Sequence, residues 1–337
     1  MTTATLHQLA GPALEPQLLQ TIGDELELTE SMLKQYCDSS TELISQVGHH
    51  TLKAGGKRLR PAFLIASALA AGGSPSMERV RKYACVMEMI HMASLIHDDV
   101  IDQSPLRRGH PTAHQLFGVT ESVLSGDVLL AKAMQIMAED GDVETTRLVS
   151  LAVAEVMQGE VRELAVRGAF DLTEQEYYSI LSGKTASFIQ ACCEVGARLA
   201  NAEESNRQAL RVYGSQIGLA FQIIDDLLDY RGKDSETGKT QGIDFRDGQV
   251  TLPLIMLRSR VSDAECQVLK QKFGNGVSDD EMRMISGWME TRGAFAEVEA
   301  TAHRLIDDAV KTLDGLPANP YRQLLQSIAE YIVNRSS

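Results

Sequence analysis

An all-α fold is what this sequence predicts, and three observations carry the prediction. No proline occurs between Pro111 and Pro253, so that stretch lacks the residue that most readily breaks a helix by removing a backbone donor. Apolar residues there recur at helical spacing, interrupted only near Gly141, Gly168 to Asp171 and Asn201. Alternation of the strand type is nearly absent. The expectation is one domain of about ten or more helices. Hydrophobic residues are 44% of the 337, enough to fill a large core, and no stretch marks a linker.

Residues 1–18 contain Pro12 and Pro16 and are expected to form an irregular arm, with the domain proper over 19–337. From Leu19 to Leu52 the period is helical, with Thr21, Asp24 and Thr29 as possible caps or breaks. The run Ala54-Gly-Gly-Lys-Arg-Leu-Arg60-Pro61 is a glycine turn leading into a helix that starts at or near Pro61. Next comes a largely buried helix, marked by Val86, Met89, Ile90, Ala93, Leu95, Ile96, Val100 and Ile101. It carries Asp98, Asp99 and Asp102 and meets Arg107 and Arg108 within one short loop. Lys184 and Thr185 lie mid-helix in an apolar, small-residue segment, and Phe221 to Tyr230 is a second apolar helix holding Asp225, Asp226 and Asp229. Arg231 to Gln249 is polar and glycine-rich, as a mobile flap or an ordinary loop would be. Helices restart at Thr251-Leu-Pro253 and run to Ile332; Trp288 among them reads as a core or interface residue.

Charge excludes some functions. Lys plus Arg number 32 against 46 Asp plus Glu, a net charge of −14, which argues against nucleic acid and against a general attraction to anionic membranes. The five cysteines, Cys37, Cys85, Cys192, Cys193 and Cys266, are odd in number and lack metal-ligand spacing, as reduced thiols in a cytoplasmic protein would be. The N-terminus lacks the order of a secretory signal, and no apolar run is long enough to span a bilayer.

The chemistry lies in a repeated motif. Asp98 and Asp102 are four apart, one helical turn above each other, and like charges so placed need compensation. A divalent cation supplies it, and hard oxygen ligands suit magnesium. One such cluster is a weak signal, since solvated helix faces often carry acids. A second DDxxD at Asp225, Asp226 and Asp229, again in an apolar run where a bare carboxylate is costly, makes it strong. Two such patches facing each other would hold magnesium ions that recruit substrate phosphates. Lys57, Arg58 and Arg60 crowd a helix N-terminus, where backbone N–H groups favour anions. A solvated basic turn is the plain alternative, and beside two acidic metal sites the phosphate reading is preferred. Lys184 is read as a second anion contact in place of a surface lysine.

The set GGKRLRP, DDVID followed by RR, KT in a helix, FQIIDDLLD and GKT…DFRDGQVTLP resembles the trans-isoprenyl diphosphate synthases, or polyprenyl synthetases, from Leu52 to about Leu257. The resemblance implies a helical isoprenoid-synthase bundle around a central cavity, usually in a homodimer. It implies Mg2+-dependent, head-to-tail condensation of isopentenyl diphosphate onto an allylic diphosphate. Asp98, Asp102 and Asp225 match positions that hold magnesium, and Asp99, Asp226 and Asp229 complete the motifs. Arg107, Lys184, Thr185, Gln222 and Lys239 match contacts to the allylic diphosphate; Lys57, Arg60, His91 and Arg108 match the isopentenyl diphosphate site. His91 on its own would read as a core histidine, and His97 as a structural one. Gln249 departs from the pattern, standing where many relatives carry lysine before TLP; Lys239 or Arg246 are the candidates to compensate.

Product length is read along the first acidic helix. Each turn lowers the floor of the cavity by about 5.4 Å. The residues stacked beneath Asp98 are Ser94 and Ala93, then Ile90, Met87 and Tyr83. Ser94 and Ala93 stand where short-chain relatives have aromatic side chains, so growth is not blocked there. Met87 or Tyr83, with Met134 or Met137, are candidate floors, against the plain alternative of core packing. A hexaprenyl to solanesyl product serving as a quinone side chain is expected, with geranylgeranyl the runner-up. Two rivals differ in class: a class I terpene cyclase, which leaves Lys57, Arg60 and Arg108 unexplained, and a non-catalytic partner subunit, towards which only Gln249 leans.

Overall fold

A computed structural model describes residues 15–231 and 241–334. The helices are α1 (Pro16–Cys37), α2 (Glu42–Lys53), α3 (Leu59–Ala70), α4 (Met77–Ile101), α5 (Ala113–Phe117), α6 (Val119–Asp140), α7 (Val143–Ala165) and α8 (Glu174–Leu181). A π turn (Ser182–Ala186) leads into α9 (Ser187–Leu199) and α10 (Glu204–Arg231). Then follow α11 (Ile243–Arg246), α12 (Leu252–Arg258), α13 (Asp263–Lys272), α14 (Asp279–Thr291), α15 (Ala294–Thr312) and α16 (Pro320–Asn334). Among the described residues the only strands are β1 (Leu106–Arg107) and β2 (His110–Pro111). The all-α expectation holds.

The chain divides into two compact units. The first comprises Met1–Leu151, Ala191–Leu210 and Gly315–Ser327; the second comprises Ala152–Gln190, Arg211–Asp314 and Ile328–Ser337. The divisions after Leu151, Gln190, Leu210 and Ser327 fall inside helices, so no linker separates the segments.

In the first unit α1 corrects the expected arm, because residues 16–18 are already helical. Pro16 opens the helix, its ring presetting φ where no intrahelical donor is needed. Leu18, Leu19, Ile22, Leu26 and Leu33 form its buried stripe, each worth about 1.5–3 kcal/mol when removed from water. Thr21 and Thr29 neither cap nor break it: their hydroxyls donate to Gln17 O at 3.0 Å and Glu25 O at 2.8 Å, the turn below. The break falls at Asp38 to Thr41 instead. Helix α4 packs most extensively against α6. Tyr83, Met87, Ile90 and Ala93 are all buried on it, while Ser94 is half-buried and donates to His91 O at 2.9 Å. Tyr83 donates to Asp140 Oδ2 at 2.9 Å, and Arg79 grips the same carboxylate at 2.8 and 2.6 Å. Met137 is buried, but Met134 is 61% exposed and so is no floor candidate: it lies on the solvent side of α6.

The second unit has its own core, with Tyr177, Ile180, Ile223, Leu227, Tyr230, Phe245 and Leu254 among its buried members and Trp288 packed against it. Three of its helices start with a capping box, at Thr173/Glu176, Ser262/Glu265 and Ser278/Glu281, where side chain and backbone satisfy each other's orphan groups. Gly141, Gly168 and Asn201, three of the expected breaks, all adopt positive φ. The five cysteines are free thiols. Among the described residues no helix is long and apolar enough to cross a membrane.

Candidate active site

The first acidic motif ends α4. Asp102 N donates to Asp98 O at 2.8 Å, which places the two carboxylates one turn apart as their spacing predicts. Asp99 turns inward, is 5% exposed, and is held by Arg107: Nε at 2.8 and 3.0 Å, Nη2 at 2.7 Å. A hairpin makes this possible. Arg107 pairs with His110 across β1 and β2, and the connecting residues Arg108 and Gly109 have φ of 52° and 78°, the pattern of a type I′ turn, whose twist matches the strands. His97 bonds Val123 O at 3.2 Å on α6, a structural contact.

The basic turn lies in the same unit. Arg108 folds over it, donating through Nη1 to Gly55 O. A Cβ on Gly56 would fall 2.9 Å from that nitrogen, so the guanidinium lies directly against the turn. His91 is pushed well below its ordinary value, by burial first and then by Arg60, Arg108, Arg107 and Arg58. It is therefore neutral at physiological pH and able to donate one hydrogen bond to an anion. Arg58, by contrast, is buried and turned to carboxylates of α1 and α4.

The second motif belongs to the other unit. Asp226 is 5% exposed, and its partners are neutral: Tyr177 donates from its hydroxyl at 2.6 Å and Gln222 from Nε2 at 2.9 Å. Gln222 in turn accepts from Thr185 at 3.0 Å, so three candidate residues form one chain of bonds. Burial pushes the Asp226 carboxyl up to about 7, with Asp225 and Glu163 adding to the rise. Asp229 accepts from the backbone N–H groups of Ile243 and Asp244, both at 3.1 Å, and so anchors the start of α11.

Lys184 sits in the π turn, which is seated against α7. A Cβ on Gly159 would come within 2.5 Å of Lys184 N. Its ammonium is paired with Glu163 at 2.5 Å and Glu160 at 3.1 Å. Burial opposes its charge, yet the two glutamates outweigh that and raise it. Lys184 and Gln222 thus come together within one unit, around a cavity of about 200 Å³ lined also by Glu163, Tyr177, Asp226, Asp244 and Gln249, with Thr185 joined to Gln222.

Arg246 does not compensate for Gln249. Its guanidinium donates to Gln241 O at 3.0 Å, Val277 O at 2.7 Å and Asp279 at 2.7 Å, all framework contacts. Lys239 lies outside the described residues, as does the part of the flap over 232–240. Sequence reasoning missed Tyr177, Glu160, Glu163, Asp244 and Arg167, the last of which also lines the cavity. Asp244 is pushed well above the usual carboxylate value by burial and then by Asp229, Asp226 and Glu163. Asp244 opens the DFRDGQVTLP motif but carries no role assigned from the sequence; the other four belong to none of the motifs, though GEVRE places Glu160 and Glu163 on one helical face.

Among the described residues no group of three or more His, Cys, Asp or Glu side chains is arranged to hold a metal ion. The candidate donors are nonetheless carboxylate oxygens, which suit magnesium. That ion is commonly held by one or two carboxylates while substrate phosphates and water complete its shell. In the first unit Asp98 and Asp102, one turn apart, have the donor chemistry for that mode of binding, and Asp225 offers a carboxylate of the same kind in the second.

Comparison with known proteins agrees with the motifs. The polyprenyl synthetase family matches residues 41–286. The chain is 34% identical to heptaprenyl diphosphate synthase component 2 of Geobacillus stearothermophilus, over 93% of this chain and 97% of that protein. A decaprenyl diphosphate synthase of Rhodobacter capsulatus is similar in structure, with a TM-score of 0.88 and 36% identity over 95% of this chain and 99% of that one. A polyprenyl synthase of Caulobacter crescentus CB15, solved with calcium and isoprenyl diphosphate, gives a TM-score of 0.88 at 32% identity, covering 100% and 98%.

Proposed function

The chain belongs to the polyprenyl synthetase family and is a prenyltransferase, and from that premise we propose that it builds a long all-trans polyprenyl diphosphate. Isopentenyl diphosphate is the unit added and an allylic diphosphate the acceptor. The product reading is hexaprenyl to solanesyl, supported by the heptaprenyl name of one relative, while the decaprenyl name of another supports the long-chain class alone. The observation that carries it is the absence of bulk next to the first motif: Ala93 and Ser94 stand one turn beneath Asp98, with Ile90 about two turns down and Met87 and Tyr83 about three to four.

The residues take these roles. Breaking the allylic C–O bond leaves both bonding electrons on diphosphate, so cations placed on it act more on the transition state than on the ground state. Arg107 and Lys184 are those cations; Thr185 and Gln222, already joined by a hydrogen bond, orient the allylic diphosphate, and Lys239 is assigned to it as well. Lys57, Arg60, Arg108 and neutral His91 hold isopentenyl diphosphate. Its double bond then attacks the allylic carbon, and a proton leaves to restore an alkene. Magnesium, held by Asp98, Asp102 and Asp225 with diphosphate oxygens, would neutralise charge on the leaving group. Asp99, Asp226 and Asp229 support that set through their bonds to Arg107, to Tyr177 and Gln222, and to the start of α11. Buried apolar side chains keep water from the carbocation.

Incubation with labelled isopentenyl diphosphate, Mg2+ and several allylic starters, followed by sizing of the products, tests the reading. Products of six to nine isoprene units are expected; a cyclic hydrocarbon formed without isopentenyl diphosphate would replace it with a cyclase. Ala93→Phe should shorten the distribution, and unchanged lengths would overturn the assigned direction of growth. A homodimer is part of the proposal. Leu124, Val128, Ala131 and Met134 recur on the outer side of α6, with Leu124 56% and Met134 61% exposed, an apolar stripe that a second copy would cover. Sedimentation of wild type and a Leu124→Glu, Met134→Glu variant should give dimer and monomer. A relative named component 2 favours a second reading, in which activity appears only with a further subunit.

A further inference from the structure

The most unusual backbone position beside the candidate anion site is Arg58. It caps α3 with φ of 46° and ψ of 39°, the left-handed region that costs a side-chain-bearing residue about 1–3 kcal/mol unless its surroundings enforce it. The surroundings do so. Glu30 of α1 accepts from Nε at 2.9 Å and from Nη2 at 3.3 Å, Glu88 of α4 accepts from Nη1 at 3.0 Å, and Leu52 O accepts from Nη2 at 2.9 Å. Arg58 therefore points into the protein, towards α1 and α4.

From this geometry we propose that Arg58, Glu30 and Glu88 are positioning residues that hold the Gly55–Arg60 turn in its binding shape before isopentenyl diphosphate arrives. The deduction rests on the assignment of Lys57, Arg60, His91 and Arg108 to that substrate. Two carboxylates on two helices fix one guanidinium, and so fix the path of the backbone on which Lys57 and Arg60 stand. The same path sets Gly55 O, which receives Arg108. Glu88 is also close enough to Arg60 for its charge to be felt there. Without the clamp the turn would relax from its left-handed residue, and three of the four anion contacts would have to be re-formed at each binding event, a cost that appears as weaker binding.

Steady-state kinetics on Glu30→Ala, Glu30→Gln and Arg58→Gly separates a positioning role from general support. The expected result for Glu30→Ala is a rise of about tenfold in KM for isopentenyl diphosphate, the size of one lost charge-assisted hydrogen bond. KM for the allylic diphosphate should stay within about twofold, and Glu30→Gln should recover part of the loss. Arg58→Gly should show the same selective rise although glycine accepts the left-handed backbone freely, because the anchor and not the strain is what matters. Arg60→Ala reads the site itself. If it leaves KM for isopentenyl diphosphate unchanged, the substrate assignment fails. If Arg60→Ala raises that constant while the Glu30 and Arg58 variants move neither KM, or move both alike, the clamp is overturned. Melting curves of each variant identify any that fail to fold. For those, Glu30→Gln supplies the reading.

Discussion

The two aspartate-rich motifs share a spelling and differ in how the fold treats their middle residue. Asp99 and Asp226 are both 5% exposed. Asp99 is met by a guanidinium, Arg107, through short contacts on both oxygens; Asp226 is met by a phenol and an amide, Tyr177 and Gln222. A cation beside a buried carboxylate stabilises its charged form, whereas neutral donors among other acids leave burial the dominant influence. Asp226 accordingly rises to about 7. The first motif thus sets its buried middle carboxyl against a cation, and the second sets its own among neutral donors, where burial raises its hold on a proton.

The largest effects should come from residues that serve both motifs alike. Asp98→Asn and Asp225→Asn should each lower kcat by about a hundredfold to a thousandfold, the usual effect of removing one electrostatic contact to a developing charge; equal losses would show that the motifs differ in partners and not in duty. Next is the charged pair. Arg107→Ala leaves Asp99 buried opposite no cation, and because Arg107 is 31% exposed the loss should be about 2–3 kcal/mol, below the full value for a buried pair. Adding Asp99→Asn should restore the melting temperature but not turnover.

The neutral pair is read by pH. The fold holds a proton on Asp226 to about 7, against 3.8 for a free carboxyl. That contribution to stability is full below about 4 and is lost as pH rises through 7. Metal-free wild type should therefore melt lower at pH 8 than at pH 5, and Asp226→Asn should reduce the difference, with Asp244, raised in the same direction, contributing the remainder. The smallest effect expected is that of Tyr177→Phe, about 1–2 kcal/mol for one hydrogen bond to a buried carboxyl. An unchanged melting temperature would mean that the Tyr177 bond contributes nothing.

Much of this was legible before any coordinates. The six aspartates, the glycine turn and the breaks at Gly141, Gly168 and Asn201 are local signals, carried by spacing or by residue type. Arg107 on Asp99 was not legible, because only a hairpin with a left-handed turn at Arg108 returns the side chain to the helix it left. Tyr177 was hidden by its distance along the chain, 49 positions before Asp226. Thr21 and Thr29 misled because a hydroxyl bonds the preceding turn as readily as it caps a new one. Met134 misled because helical period alone does not say which side faces water.

The π turn at Ser182–Ala186 amounts to one residue of slack wound into an otherwise regular rod. Deleting a single residue there would restore ordinary pitch and abolish the widened turn from which Lys184 reaches Glu160 and Glu163. For this chain a shortened segment at that point is thus a more serious lesion than most replacements, and variants that differ in length here should be far rarer among active proteins than variants that differ in spelling.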